Sequence, residues 1–177
     1  MAHHVPEAGR AASKPVMAIM KTALTRVISV GLLLGASVAW AGDDFPTKKV
    51  LTLAAAMKAA AAAQAEATKR GATVVIAVVD DGGHLILLHR LDDTQVASVE
   101  VGIGKARTAA IFRRSSKDFE DQIRSGRIAA LALPGATPLQ GGVPITVDGK
   151  VIGAIGVSGN TPQEDEDIAK VGAAVFR

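Results

Sequence analysis

Apolar and polar positions follow two different rhythms along this chain, and the rhythm changes at short clusters of glycine, aspartate and proline. An alanine-rich run reaches from Leu53 to Arg70, with Thr52 in front and Gly71 behind. Threonine caps helix N-termini and glycine adopts the left-handed conformation that ends them, so the pattern predicts a helix over 53–70. Thr73 to Val79 is continuously apolar and β-branched, which predicts a strand covered on both faces. Asp80-Asp81-Gly82-Gly83 supplies turn chemistry, and His84 to Leu91 reads as the returning strand. Strict alternation there would put Leu85, Leu87 and His89 on one face, and Ile86, Leu88 and Arg90 on the other.

Helical spacing resumes at Val96, Val99, Ile103, Ala106 and Ala110, with Asp93 or Thr94 as the expected cap. A short third helix is expected after Ser115-Ser116, and 127–142 is a looser stretch with two prolines. Val143–Val147 and Lys150–Val157 flank Asp148-Gly149, which predicts a hairpin closed by a type I′ turn. Thr161-Pro162-Gln163-Glu164 has the form of a capping box with proline at the first helical position, opening a helix that ends near Phe176. The expected fold class is therefore α/β, of the α+β kind: an antiparallel sheet of four or five strands packed against helices.

Charge changes the picture only at the start of the chain. The formal net charge is +3. Arg10, Lys14, Lys21 and Arg26 against Glu7 account for all of it, so 42–177 is neutral. A nucleic-acid partner is not expected from a neutral domain whose aromatic side chains are four phenylalanines. From Met17 or Met20 to Ala41 the chain reads as a secretory signal: Lys21 and Arg26 come first, an apolar stretch runs through Val27–Gly35, and Ala39-Trp40-Ala41 fits a cleavage site. The apolar stretch is too short to span a bilayer, so no membrane association is expected after cleavage. The expected organisation is a leader over 1–41 and a single domain over 42–177, periplasmic or secreted. Residues 1–16, with His3 and His4, are expected to lie upstream of the true start.

Val78-Val79-Asp80-Asp81-Gly82-Gly83-His84-Leu85, Ala97-Ser98-Val99-Glu100, Lys105-Ala106-Arg107-Thr108-Ala109, Gly141-Gly142-Val143-Pro144-Ile145 and Val151 to Gly159 occur in this order. With these stretches the chain resembles the GlcG/HbpS family over about residues 50–177. The resemblance implies a profilin-like fold and assembly into a homo-oligomer. It also implies haem as the leading ligand, with a role in haem degradation or sensing. Other members of the family sit beside glycolate or diol metabolism. A non-catalytic module for a small carboxylate such as glycolate, or an enzyme of that metabolism, therefore stays open beside haem.

The residue types present narrow the chemistry. Cysteine and tyrosine are absent, which excludes disulfides, thiolate metal sites and tyrosinate iron ligands. A protein ligand to haem iron would come from His84 or His89, the candidate metal ligands, since Met57 inside the first helix reads as core filler. His84 is expected on an exposed turn and His89 partly buried near a sheet edge. For each alone, a local hydrogen bond is the simpler role. Seven basic residues fall in 105–127, against Asp118, Glu120 and Asp121. Lys105 and Arg107 are the candidates for holding a carboxylate, because guanidinium and ammonium groups pair with carboxylates. The outer arginines read as a solvated helix face. Asp80, Asp81, Asp92 and Asp93 are accounted for by turns and caps.

Overall fold

The structure is a computed structural model that describes residues 45–176. The expected leader lies outside the described residues. The chain divides into two units, Met1–Thr47 and Lys48–Arg177, and the elements below all belong to the second.

Helix α1 covers Leu53–Arg70. The Thr52 side chain accepts the N–H of Ala55, and Gly71 follows at φ 65° with its own N–H returned to the last turn. Both ends are therefore as the sequence predicts. Strands β1 (Val75–Asp80) and β2 (Leu85–Arg90) form the first hairpin. Helix α2 covers Ser98–Ile111 and α3 covers Lys117–Arg124, followed by a 3-10 turn at Ile128–Ala132. Strands β3 (Gly142–Val147) and β4 (Lys150–Ser158) form the second hairpin. Its turn residues Asp148 and Gly149 have φ of 50° and 73°, the paired positive angles a type I′ turn needs. Helix α4 (Pro162–Ala173) opens with the full capping box between Thr161 and Glu164.

The sheet has four strands, all antiparallel, in the order β2-β1-β4-β3. One face packs α1 and α4 through Ala59, Ala63, Ile168 and Ala169 onto Ile76, Val78, Ile155 and Val157. The other face carries α2 through Ala106, Ala109 and Ala110 onto Ala77, Val79 and Ala154. Strand β1 is central, so its run from Val75 to Val79 is buried on both faces. That is why it is apolar without alternation. The small side chains set the layer spacing. A methyl group at Gly156 would lie 2.2 Å from the carbonyl oxygen of Gly102, so only glycine lets α2 lie directly on β4.

Three expectations need correction. The β1–β2 register slips between Val78 and Val79: Val78 faces Leu87 but Val79 faces Leu85, leaving Ile86 as an extra residue. This bulge breaks the alternation, so Leu85 no longer shares a face with Leu87, and Ile86 and Leu87 both pack toward α1. Helix α2 begins at Ser98 and has no side-chain cap. Asp93 instead adopts φ 62°, and the Thr94 hydroxyl donates to the Leu91 carbonyl at 2.7 Å, which makes a turn. The buried residues of α2 are Ser98, Gly102, Lys105, Ala106, Thr108, Ala109 and Ala110, so Ala106 and Ala110 are buried as expected, while Val96 is exposed and Val99 and Ile103 are half-buried. Met57, expected as core filler, is 55% exposed because alanines occupy the packed side of α1.

Candidate functional site

The β1–β2 turn is built around one carboxylate. Asp80 Oδ1 accepts the backbone N–H groups of Gly82 and His84, each at 2.9 Å. The Asp80 N–H donates to the His84 carbonyl at 2.9 Å, closing the turn from the other side. The same Oδ1 lies 3.3 Å from Nδ1 of the His84 ring. Partial burial pushes the Asp80 carboxyl up, but the two N–H bonds and the neighbouring imidazole outweigh it and hold it below its ordinary value of 3.8. The His84 side chain is 83% exposed, so its Nε2 edge is turned away from the carboxylate toward solvent. Gly82 makes this ring position available: a methyl group there would lie 2.9 Å from Nδ1.

Helix α2 supports the turn from below. Arg107 Nε donates to the Gly83 carbonyl at 3.3 Å. A methyl group at Gly83 would meet Arg107 Cγ at 2.8 Å and Ile111 Cγ2 at 3.1 Å, so the arginine stem and the isoleucine lie directly against the turn. Leu85 and Ile111 are exposed beside it, at 48% and 37%. An outward imidazole, a guanidinium and exposed apolar side chains thus share one small surface.

The other two candidates lie elsewhere. His89 faces Ile76 in the sheet, on the side covered by α1, and its Nδ1 is 2.8 Å from Oε1 of Gln64. It is half-buried at the edge strand, with the local hydrogen bond that the simpler reading expected. Five residues along a strand span roughly 16 Å, and the sheet separates His89 from α2, so His84 and His89 do not converge on one atom. Lys105 is only 4% exposed. Its ammonium donates to Asp165 at 2.8 Å and to the Val157 carbonyl at 3.0 Å, tying α2 to α4 past the end of β4. Burial pushes the Asp165 carboxyl up, and the bond and charge of Lys105 only partly offset this, leaving it above 3.8.

Sequence reasoning passed over Asp165 and Gln64. For Asp165 a signal existed: it stands three, four and seven residues before Ile168, Ala169 and Gly172, on the buried stripe of α4. Lys105 likewise stands seven residues after Ser98 on the buried stripe of α2. An acid and a base on two apolar stripes are a buried pair waiting to be matched. The outer basic residues are engaged at the surface: Arg114 stacks 4.1 Å over the Phe119 ring, Arg124 pairs with Glu120 at 2.6 Å, and Lys117 pairs with Asp121. Among the described residues no three His, Asp or Glu side chains gather as a metal site, and no helix is long and apolar enough to cross a membrane.

The chain matches the family model described as haem degrading protein HbpS-like over residues 51–174. GlcG of Escherichia coli strain K12 is 49% identical over 79 residues, which cover 45% of this chain and 59% of GlcG. The matched stretch therefore spans little more than half the length of that relative. Among solved structures, a double mutant of Streptomyces reticuli HbpS superimposes with a TM-score of 0.70 at 34% identity, covering 80% of this chain and 97% of that one. A PduOC–haem complex superimposes with a TM-score of 0.65 at 25% identity, covering 71% of this chain and 94% of that one.

Proposed function

The chain belongs to the HbpS-like family, and we propose from that premise that it binds haem at the surface formed by His84, Arg107, Leu85 and Ile111. The observation that carries this reading is the His84 ring, whose Nδ1 is held by a carboxylate while Nε2 faces outward. Histidine ligands to metals are ordinarily oriented in this way by a second hydrogen bond. The donor set fits the group. His84 supplies an imidazole for iron, Arg107 supplies a cation for a propionate, and Leu85 and Ile111 supply apolar contact. Bound there, haem would supply an iron centre for ligand exchange or electron transfer. The protein's own part is to hold the ring, pair the carboxylate and shield one porphyrin face. His89 is the second candidate ligand. Its half-buried position under α1 offers less room for a porphyrin.

Titration with haemin tests the reading. A shifted Soret band at stoichiometric haemin, retained in His89→Ala and lost in His84→Ala, is the expected result. Failure of the unaltered protein to shift the band would sink it. In that case a thermal shift with glycolate would move the assignment to a small carboxylate held by the same imidazole and guanidinium. Release of biliverdin or free iron in the presence of a reductant would extend binding to degradation. The proposal also places the protein outside the cytoplasm as a homo-oligomer. A mature N-terminus near Gly42 and the mass in light scattering check those two parts.

A further inference from the structure

We propose that Asp80 is a positioning residue that fixes the tautomer of His84, so that the ring is protonated at Nδ1 and presents an unprotonated Nε2 to its ligand. The inference rests on the haem reading for its consequence, but not for its geometry. Neutral imidazole carries one proton and places it on the nitrogen with the better acceptor. In water the Nε2-protonated form of histidine predominates. Here Nδ1 is 3.3 Å from Asp80 Oδ1, an acceptor already held in place by the N–H groups of Gly82 and His84. The oxygen cannot rotate away without giving up both backbone bonds. Nε2, on an 83% exposed side chain, faces water alone. The negative charge of the carboxylate beside Nδ1 therefore draws the proton to that nitrogen.

The same contact raises the electron density at Nε2. An imidazole hydrogen-bonded to a carboxylate is a stronger donor than one hydrogen-bonded to water, and a stronger donor favours ferric over ferrous iron. Gly82 has a part in this arrangement. Its φ is not among the positive values, so alanine fits the backbone there, yet an alanine methyl would lie 2.9 Å from Nδ1 and 3.0 Å from Cε1. The methyl would also lie 3.3 Å from Asp80 Oδ1, so the carboxylate gives by a few tenths of an ångström while the ring, much closer, has to swing away from it. Two variants thus disrupt one imidazole–carboxylate contact from opposite ends. Asp80→Asn keeps the acceptor oxygen for both backbone N–H groups and removes the charge. Gly82→Ala keeps the charge and moves the ring.

The first measurement needs no haem. Long-range nitrogen–proton correlation spectra of the full-length apo protein, above the pH at which the ring is protonated, report the tautomer directly. Nδ1 protonation should dominate His84 in the unaltered protein, and the Nε2-protonated form should take over in both variants. An Nε2-protonated ring in the unaltered protein overturns the proposal, whatever haem does. The second measurement reads the consequence. On haemin-loaded protein, both variants should raise the iron midpoint potential and weaken the iron–histidine stretching frequency. His89→Ala should change neither. If both variants lose haem affinity while potential and stretch stay fixed, Asp80 only shapes the turn and the proposal fails. Retention of the Soret shift by His84→Ala would overturn the haem assignment at this turn while the tautomer result still stood.

Discussion

Lys105 and Arg107 are two residues apart on the same helix, carry the same charge, and do opposite jobs. The ammonium of Lys105 is inside the protein, spent on Asp165 and the Val157 carbonyl. The guanidinium of Arg107 is at the surface, its stem laid against Gly83 and its head beside the His84 turn. Two residues along a helix rotate the side chain by roughly 200°, enough to pass from the sheet-facing side to the open side. Proximity in sequence therefore says little about shared function on a helix. The buried pair supplies cohesion between α2 and α4. The exposed side chains of His84 and Arg107 leave an imidazole nitrogen and a guanidinium at the surface.

This contrast can be broken most forcefully at Lys105. Lys105→Met leaves Asp165 buried without its partner and should cost about 3–5 kcal/mol in denaturant unfolding. Adding Asp165→Asn should recover much of that loss, because asparagine still accepts the Asn160 N–H that Asp165 Oδ1 holds at 3.0 Å. If Lys105 touched the ligand instead, the double variant would regain stability but lose haem affinity. Retained affinity keeps the two jobs apart. Next in size is Arg107→Ala, expected to weaken haemin binding about tenfold, the worth of one charge-assisted bond. Its stability should stay within about 0.5 kcal/mol. Large unfolding with unchanged affinity would reverse the assignment of roles.

The pH dependence separates the two carboxylates by sign. Asp165 is held above 3.8 by burial, so its contribution to stability is full below that value and is lost as pH rises through its folded value. Asp80 is held below 3.8, so its contribution is present above that value and is lost as pH falls through its folded value. Stability measured between about pH 3 and 6 should rise more steeply with pH in Asp165→Asn than in the unaltered protein, and less steeply in Asp80→Asn. Slopes unchanged from the unaltered protein would remove the distinction. The smallest effect is expected at Ser98, whose buried hydroxyl has no hydrogen-bond partner on the same stripe as Lys105. Ser98→Ala should be neutral or stabilising by up to about 1 kcal/mol. A clear loss would show that the hydroxyl is satisfied.

Much of the site could be read from the residues. The exposed His84 turn, the half-buried His89 and the family all follow from local pattern and motif. The membership of Lys105 in the site did not survive as a contact, since a lysine inside a motif was read as ligand chemistry when its helix phase pointed inward. Arg107 differs because its side chain is exposed, with its stem laid over the buried Gly83 and beside the exposed Ile111.

What the sequence determined by itself was everything set by short-range forces. The Thr52 and Thr161 caps, the Gly71 terminator and the Asp148-Gly149 turn depend on a few adjacent residues, and each formed where the residues ask for it. The doubly buried β1 was legible for a similar reason, because an uninterrupted apolar run suits a strand with cover on both sides. The tertiary structure decided the phase of each element: which side of α2 meets the sheet, where β2 bulges, and hence which charges are buried. Phase is fixed by the close approach of whole layers, as at Gly156 under Gly102, and by the matching of Lys105 to an acid sixty residues away. No local pattern contains that distance.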